Sequence, residues 1–145
     1  MTEYSRSSAE FIIGAILERQ GCTCTRQKQI GNGIYGRPLR VDFCVEGVPD
    51  YPDGLIIESA WQDARGSIDE KFPYLVENIR SVYPCPTIIV ISGGKQRSGA
   101  VTWLRSQVDG RHLLAVFSMD EFVSWSNRIV VRPISPEIAE AGGRC

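Results

Sequence analysis

The apolar positions change period several times along the chain, and each change marks an element. In "SSAEFIIGAILERQG", Ala9, Ile12, Ile13, Ile16 and Leu17 occupy the i, i+3, i+4, i+7, i+8 stripe of an amphipathic helix. Ser7 with Glu10 gives it a capping-box start, and Gly21 gives it a stop. "CTCTRQKQI" is polar and β-tolerant, and "GNGIYGRP" is turn-rich. In "LRVDFCVEG" the alternation predicts Leu39, Val41, Phe43 and Val45 on one face of a strand, with Arg40, Asp42, Cys44 and Glu46 on the other. The Pro/Gly turn "VPDYPDG" leads into "LIIESAWQ", so these two strands are expected to pair antiparallel.

"GSIDEKFPYLVENIRSV" predicts a second helix, with Ser67 and Glu70 as its capping box. Pro73 lies past the first turn counted from Ser67, which calls for a kink or a later start. "PTIIVIS" is apolar throughout, the pattern of a central strand buried on both faces. A helix in "GAVTWLRSQV", a strand in "LLAVF" and a helix in "SMDEFVSWSNRIV" follow, the last capped by Ser118 and Glu121. The order α-β-β-β-α-β-α-β-α predicts an α/β fold: a mixed β-sheet with helices on its faces. Its 145 residues suit one domain, with residues 129–145 an irregular Pro/Gly-rich tail.

Charge and composition narrow the picture only slightly. The net charge of -1 lacks the basic excess common in nucleic-acid binders, although local distribution matters more than the sum. There is no apolar run of about 18 residues to span a membrane, and the first residues lack a signal-peptide layout, so a cytoplasmic location is expected. The five cysteines match no zinc spacing and are expected to be buried or free thiols. His112, alone after "DGR", reads as a loop residue.

Glu58 breaks the pattern. A carboxylate inside an apolar strand is costly unless it is paired or metal-bound. On this strand Glu58, Ala60 and Gln62 share a face. Asp42 lies on the polar face of the neighbouring strand, and Glu10 borders the apolar stripe of the first helix. Two carboxylates on adjacent strands offer the hard oxygen ligands that Mg²⁺ (or Mn²⁺) requires. Such an ion polarises a phosphodiester and acidifies water, and a nearby cation balances the charge that develops. Arg26, Lys28, Arg37 and Arg40 around the first hairpin would be where DNA lies, together with Lys95 and Arg97 on "SGGKQRSG". That loop lacks the residue order of a nucleotide P-loop. Each residue also has an ordinary reading: Glu10 as a cap, Asp42 as an exposed strand position, Lys71 as a solvated helix charge.

The run from "RVDF" through "IIESAWQ" resembles the core of the PD-(D/E)XK nuclease superfamily. "GSIDEKFPYLVENIRSVYPCPTIIVISGG" and "GAVTWLRSQ" are similar to small phage and cyanobacterial members, including restriction-type and homing-type endonucleases. The resemblance implies a restriction-endonuclease-like αβββαβ core with Asp42 and Glu58 as metal ligands. Glu10 then corresponds to the first-helix acid that some members use, and Gln62 helps to place water or a ligand carboxylate. It also implies a lysine at position 60, where this chain has alanine. Three readings stay open: an inactivated form with lysine replaced by alanine, a natural variant served by Gln62 or Lys71, or a chain that is no nuclease. The function expected is Mg²⁺-dependent, site-specific cleavage of double-stranded DNA, impaired at Ala60, by a homodimer or homotetramer. A non-catalytic DNA-binding or assembly module on the same fold, and a resolvase-like nuclease for branched DNA, are the alternatives.

Overall fold

The computed structural model describes residues 6–62, 69–93 and 99–129. Along the chain run α1 (Arg6–Arg19), β1 (Thr23–Asn32), β2 (Pro38–Glu46), β3 (Leu55–Gln62), α2 (Phe72–Ser81), β4 (Thr87–Gly93), α3 (Gly99–Ser106), β5 (Leu113–Ser118) and α4 (Met119–Arg128). The sheet order is β1-β2-β3-β4-β5. The β1–β2 and β2–β3 pairs are antiparallel, while β3–β4 and β4–β5 are parallel. The sheet is therefore mixed, as the element order predicts.

Both faces of the sheet are covered. Ile13 and Leu17 of α1 and Phe122 of α4 pack on Phe43, Val45, Leu55, Ile57, Ile88 and Val90. On the opposite face Phe72, Val76 and Ile79 of α2 and Val101 and Leu104 of α3 cover Ala60, Ile89 and Ile91. Strand β4 lies between β3 and β5 and is buried along nearly its whole length. Its unbroken apolar run is what such a position demands.

The local signals act as their chemistry dictates. Gly21 takes φ +85° after α1, where its N–H bonds Glu18 and that of Cys22 bonds Leu17, a left-handed stop that glycine adopts without strain. The Ser118–Glu121 capping box forms in full at the start of α4. Helix α2 starts late, at Phe72 after a 3-10 turn over Asp69–Lys71, so Pro73 falls in its first turn, where a missing N–H costs nothing. Ser7 is no cap: it sits inside α1, which already runs from Arg6. Ser67 lies outside the described residues, as does the tail from 130. Cys22, Cys24 and Cys44 are free thiols, whereas Cys85 is disulfide-bonded, contrary to the expectation of thiols.

Candidate active site

Strict alternation in β2 does not hold. Val41 packs with Cys44 and Ile56, while Phe43 and Val45 pack on the α1 side. The phase of the strand therefore slips at Asp42. Strand β1 slips at the facing position. Gln27 has φ +51°, and the Gln27–Asp42 step is missing from a ladder that otherwise runs Arg26↔Phe43 to Lys28↔Val41. A non-glycine residue in the left-handed region costs on the order of 1 kcal/mol or more, so such a residue points toward a functional site.

The slip coincides with a fork. Pairing of β2 with β3 stops at Phe43↔Ile57, one step before Asp42 would meet Glu58. Beyond that point the carboxylates replace the ladder. The Asp42 N–H donates to Glu58 Oε1 at 2.8 Å, and the Ser59 N–H donates to Asp42 Oδ2 at 2.8 Å. Each acid thus caps a backbone group of the other acid's segment, which locks the pair together across the fork. Gln27 Nε2 donates to Asp42 Oδ1 at 3.2 Å, and the Tyr83 hydroxyl donates to Glu58 Oε2 at 3.0 Å.

The electrostatics of the pair are strained. Burial first, and the Asp42 charge second, push the Glu58 carboxyl up from 4.5 to about 8. Its hydrogen bonds to Asp42 N–H and Tyr83 oppose the shift, and the charge of Glu10 adds weakly to it. Burial and the adjacent Glu58 also raise the Tyr83 hydroxyl, which keeps it a donor. A divalent cation would offset the repulsion between the two carboxylates. The donor set fits one: each of the four oxygens accepts a hydrogen bond and has two lone pairs, and Mg²⁺ commonly takes one or two carboxylates with the rest water and phosphate. Among the described residues no three His, Cys, Asp or Glu side chains gather into a ready cage. The charge of Glu10 reaches the pair, where it adds to the rise at Glu58.

Beside Glu58 lies a cavity of about 250 Å³, walled by Arg40, Ala60, Lys71, Tyr74, Asn78 and Tyr83 among others. Ala60 is 6% exposed and packs with Phe72 and Val76. Lys71, at the N-terminus of α2, faces the same cavity. Gln62 closes β3 opposite Gly93; its side chain is outside the described set.

The expected DNA contacts divide. Arg40 is exposed on the cavity rim and Arg37 is exposed in the β1–β2 turn. The slip at Gln27 sends Arg26 and Lys28 in different directions. Arg26 pairs with Glu18 at 3.1 Å and lies over the Phe43 ring on the α1 side, whereas the charge of Lys28 reaches Cys44 on the other side. Lys95 and Arg97 lie outside the described residues. Gln27, Tyr83 and Asn78 are site residues that sequence reasoning passed over. A polar Gln in an exposed strand and a Tyr in a loop carry no signal until topology brings them to the fork.

A family model described as a PD-(D/E)XK nuclease superfamily domain matches residues 3–130. No curated protein and no solved structure gives a significant match. The mixed sheet, the β2–β3 fork with its acid pair and this match over most of the chain lead to one assignment: the chain belongs to the PD-(D/E)XK nuclease superfamily.

Proposed function

We propose that the protein is a Mg²⁺- or Mn²⁺-dependent endonuclease that hydrolyses phosphodiester bonds of double-stranded DNA at specific sites, in the manner of restriction or homing enzymes, and that Ala60 impairs it. The observation that carries this reading is the acid pair exchanged across the β2–β3 fork. Asp42 and Glu58 would hold the ion. When bound, the ion supplies charge opposite the phosphate and acidifies a water molecule. Asp42 and Ser59 N–H groups orient the two carboxylates, and Glu10 keeps the local potential negative. Arg40 and Arg37 would hold the phosphate backbone at the rim. With one site per chain, cutting both strands calls for a homodimer or homotetramer.

Position 60 is where the chemistry is weakest. A methyl group can neither donate a hydrogen bond nor carry charge. The cavity beside Ala60 offers room for a longer side chain, with Phe72 and Leu75 to pack along its stem. Lys71 lines that cavity and is the candidate to supply part of the missing charge, with Gln62 the other. The rival reading, a DNA-binding or assembly module without cleavage, draws support from the burial of Ala60 in the α2 core.

Nicking of supercoiled plasmid in Mg²⁺, by the chain and by its Ala60→Lys form, tests the proposal. We expect Ala60→Lys to cut about 10²-fold faster, the scale on which one charge-stabilising donor acts. Residual cutting by the parent chain should fall with Lys71→Ala. If neither form cuts but DNA is bound, the binding module is correct. If neither cuts nor binds, the nuclease reading fails.

A further inference from the structure

The turn between β1 and β2 is held against α2 by contacts that no strand signal announces. The Ile34 N–H donates to Oδ1 of the buried Asn78 at 2.9 Å. Gly33 is packed so closely that a Cβ there would lie 2.6 Å from the Tyr74 hydroxyl and 2.9 Å from Asn78 Oδ1. The turn is closed by Gly33 N–H to Arg37 O at 2.7 Å and Gly36 N–H to Gly33 O at 2.9 Å, with Gly36 at φ +81°. The Tyr35 ring stacks on Tyr74, centroids 5.0 Å apart and planes 15° from parallel. Yet Tyr35 remains 77% exposed. One ring face is fixed by Tyr74 and the other is presented to solvent on a pinned turn.

Asn78 also ties this turn to the acid pair. Its carbonyl accepts the N–H of Tyr83 at 2.9 Å, and Tyr83 in turn holds Glu58. Tyr74 and Asn78 wall the cavity that Glu58 borders, together with Arg40 and Lys71. An aromatic platform, two cations and the carboxylates thus lie along one cavity and its mouth. Cations match a phosphate backbone, and a free aromatic face matches a nucleobase. A base inside a duplex has both its faces covered by its neighbours, so only an unpaired, terminal or extruded base can stack there.

We infer that the Tyr35–Tyr74 platform stacks an extruded nucleobase, so that the protein engages DNA at a bulge in preference to uninterrupted duplex and to its ends. The inference rests on the nucleic-acid reading above and sharpens its substrate class. Tyr74 backs the ring, Asn78 fixes the turn, and Arg40 with Lys71 hold the flanking phosphates.

The test is fluorescence anisotropy in metal-free buffer with two DNA hairpins, one fully paired and one carrying a single extrahelical nucleotide. The parent chain should bind the bulged hairpin roughly ten-fold more tightly. Tyr35→Ala should bind the two equally, while Tyr35→Trp should keep the preference. Arg40→Ala should weaken both by the same factor. Melting temperatures of the Tyr35 forms guard against a collapsed turn, and Tyr35→Leu, which keeps bulk without a π-face, should behave as Tyr35→Ala. A parent chain that binds both hairpins equally, or a Tyr35→Ala form that keeps the preference, overturns the inference and leaves the nuclease reading standing. A parent chain that binds neither hairpin overturns both.

Discussion

The two halves of the sheet are built on opposite principles. From β3 to β5 the strands are parallel, the β3–β4 ladder runs unbroken from Ile56↔Thr87 to Gln62↔Gly93, the β4–β5 ladder shifts only at its start, between Thr87 and Ile88, and β4 is nearly all buried. From β1 to β3 they are antiparallel, with Gln27 in a left-handed conformation, a register shift between Gln29 and Gly31, and a fork at Asp42 and Glu58. The regular half buries apolar area and carries stability. The irregular half gives up ladder hydrogen bonds and brings two carboxylates together. The proposed chemistry sits where the regular sheet stops, and the regular sheet sustains the strain at Gln27.

The largest separable effect should come from the regular half. Ile89 of β4 is fully buried in the cluster under α2 and α3. Ile89→Ala should lose roughly 3 kcal/mol of stability in urea unfolding. Its metal affinity at the fork should stay unchanged while it is folded. A comparable loss of both would mean that the two halves are not separable.

The irregular half should show the opposite sign. Glu58 is raised from 4.5 to about 8, chiefly by burial and then by Asp42. Below about pH 4.5 both folded and unfolded chains hold this proton. As pH rises toward 8 the unfolded chain gives it up first, so metal-free stability falls across that window and levels off above it. Discounting for solvent at this half-buried group, the loss is on the order of 2 kcal/mol. Glu58→Gln should flatten the slope and stabilise the metal-free protein at pH 8. Thermal melts from pH 5 to 9 read this directly, and an unchanged slope in Glu58→Gln would assign the effect elsewhere.

A smaller effect is expected one bond further out. Tyr83 orients Glu58 and carries no charge to the site. Tyr83→Phe should weaken Mn²⁺ binding about ten-fold, as loss of an orienting hydrogen bond behind a metal ligand does, with the fold retained. Unaltered affinity would make the Tyr83 hydroxyl a bystander.

The regular half was readable from the sequence because its forces are local or periodic. The apolar run of β4, the stripe on α1, the stop at Gly21 and the Ser118 cap each act over a few residues. The fork was half readable. Glu58 stood out because an apolar strand does not accommodate a lone carboxylate, and Asp42 followed from its neighbouring strand. Alternation misled beyond that point. It kept Val41 with Phe43, because a period of two cannot register a slip at Gln27 and Asp42. Tyr83 and Asn78 reach the site only through the end of α2, a contact between distant segments that no local pattern encodes.

The central claim is that the acid pair at the fork is a divalent-metal site. Calorimetric titration of Mn²⁺ at pH 7.5 into the parent chain and its Asp42→Asn form tests it most directly. The account predicts a saturable site in the parent chain that Asp42→Asn abolishes or weakens at least 100-fold, in a protein that is still folded. Equal binding by both forms, or none by the parent chain, would contradict it.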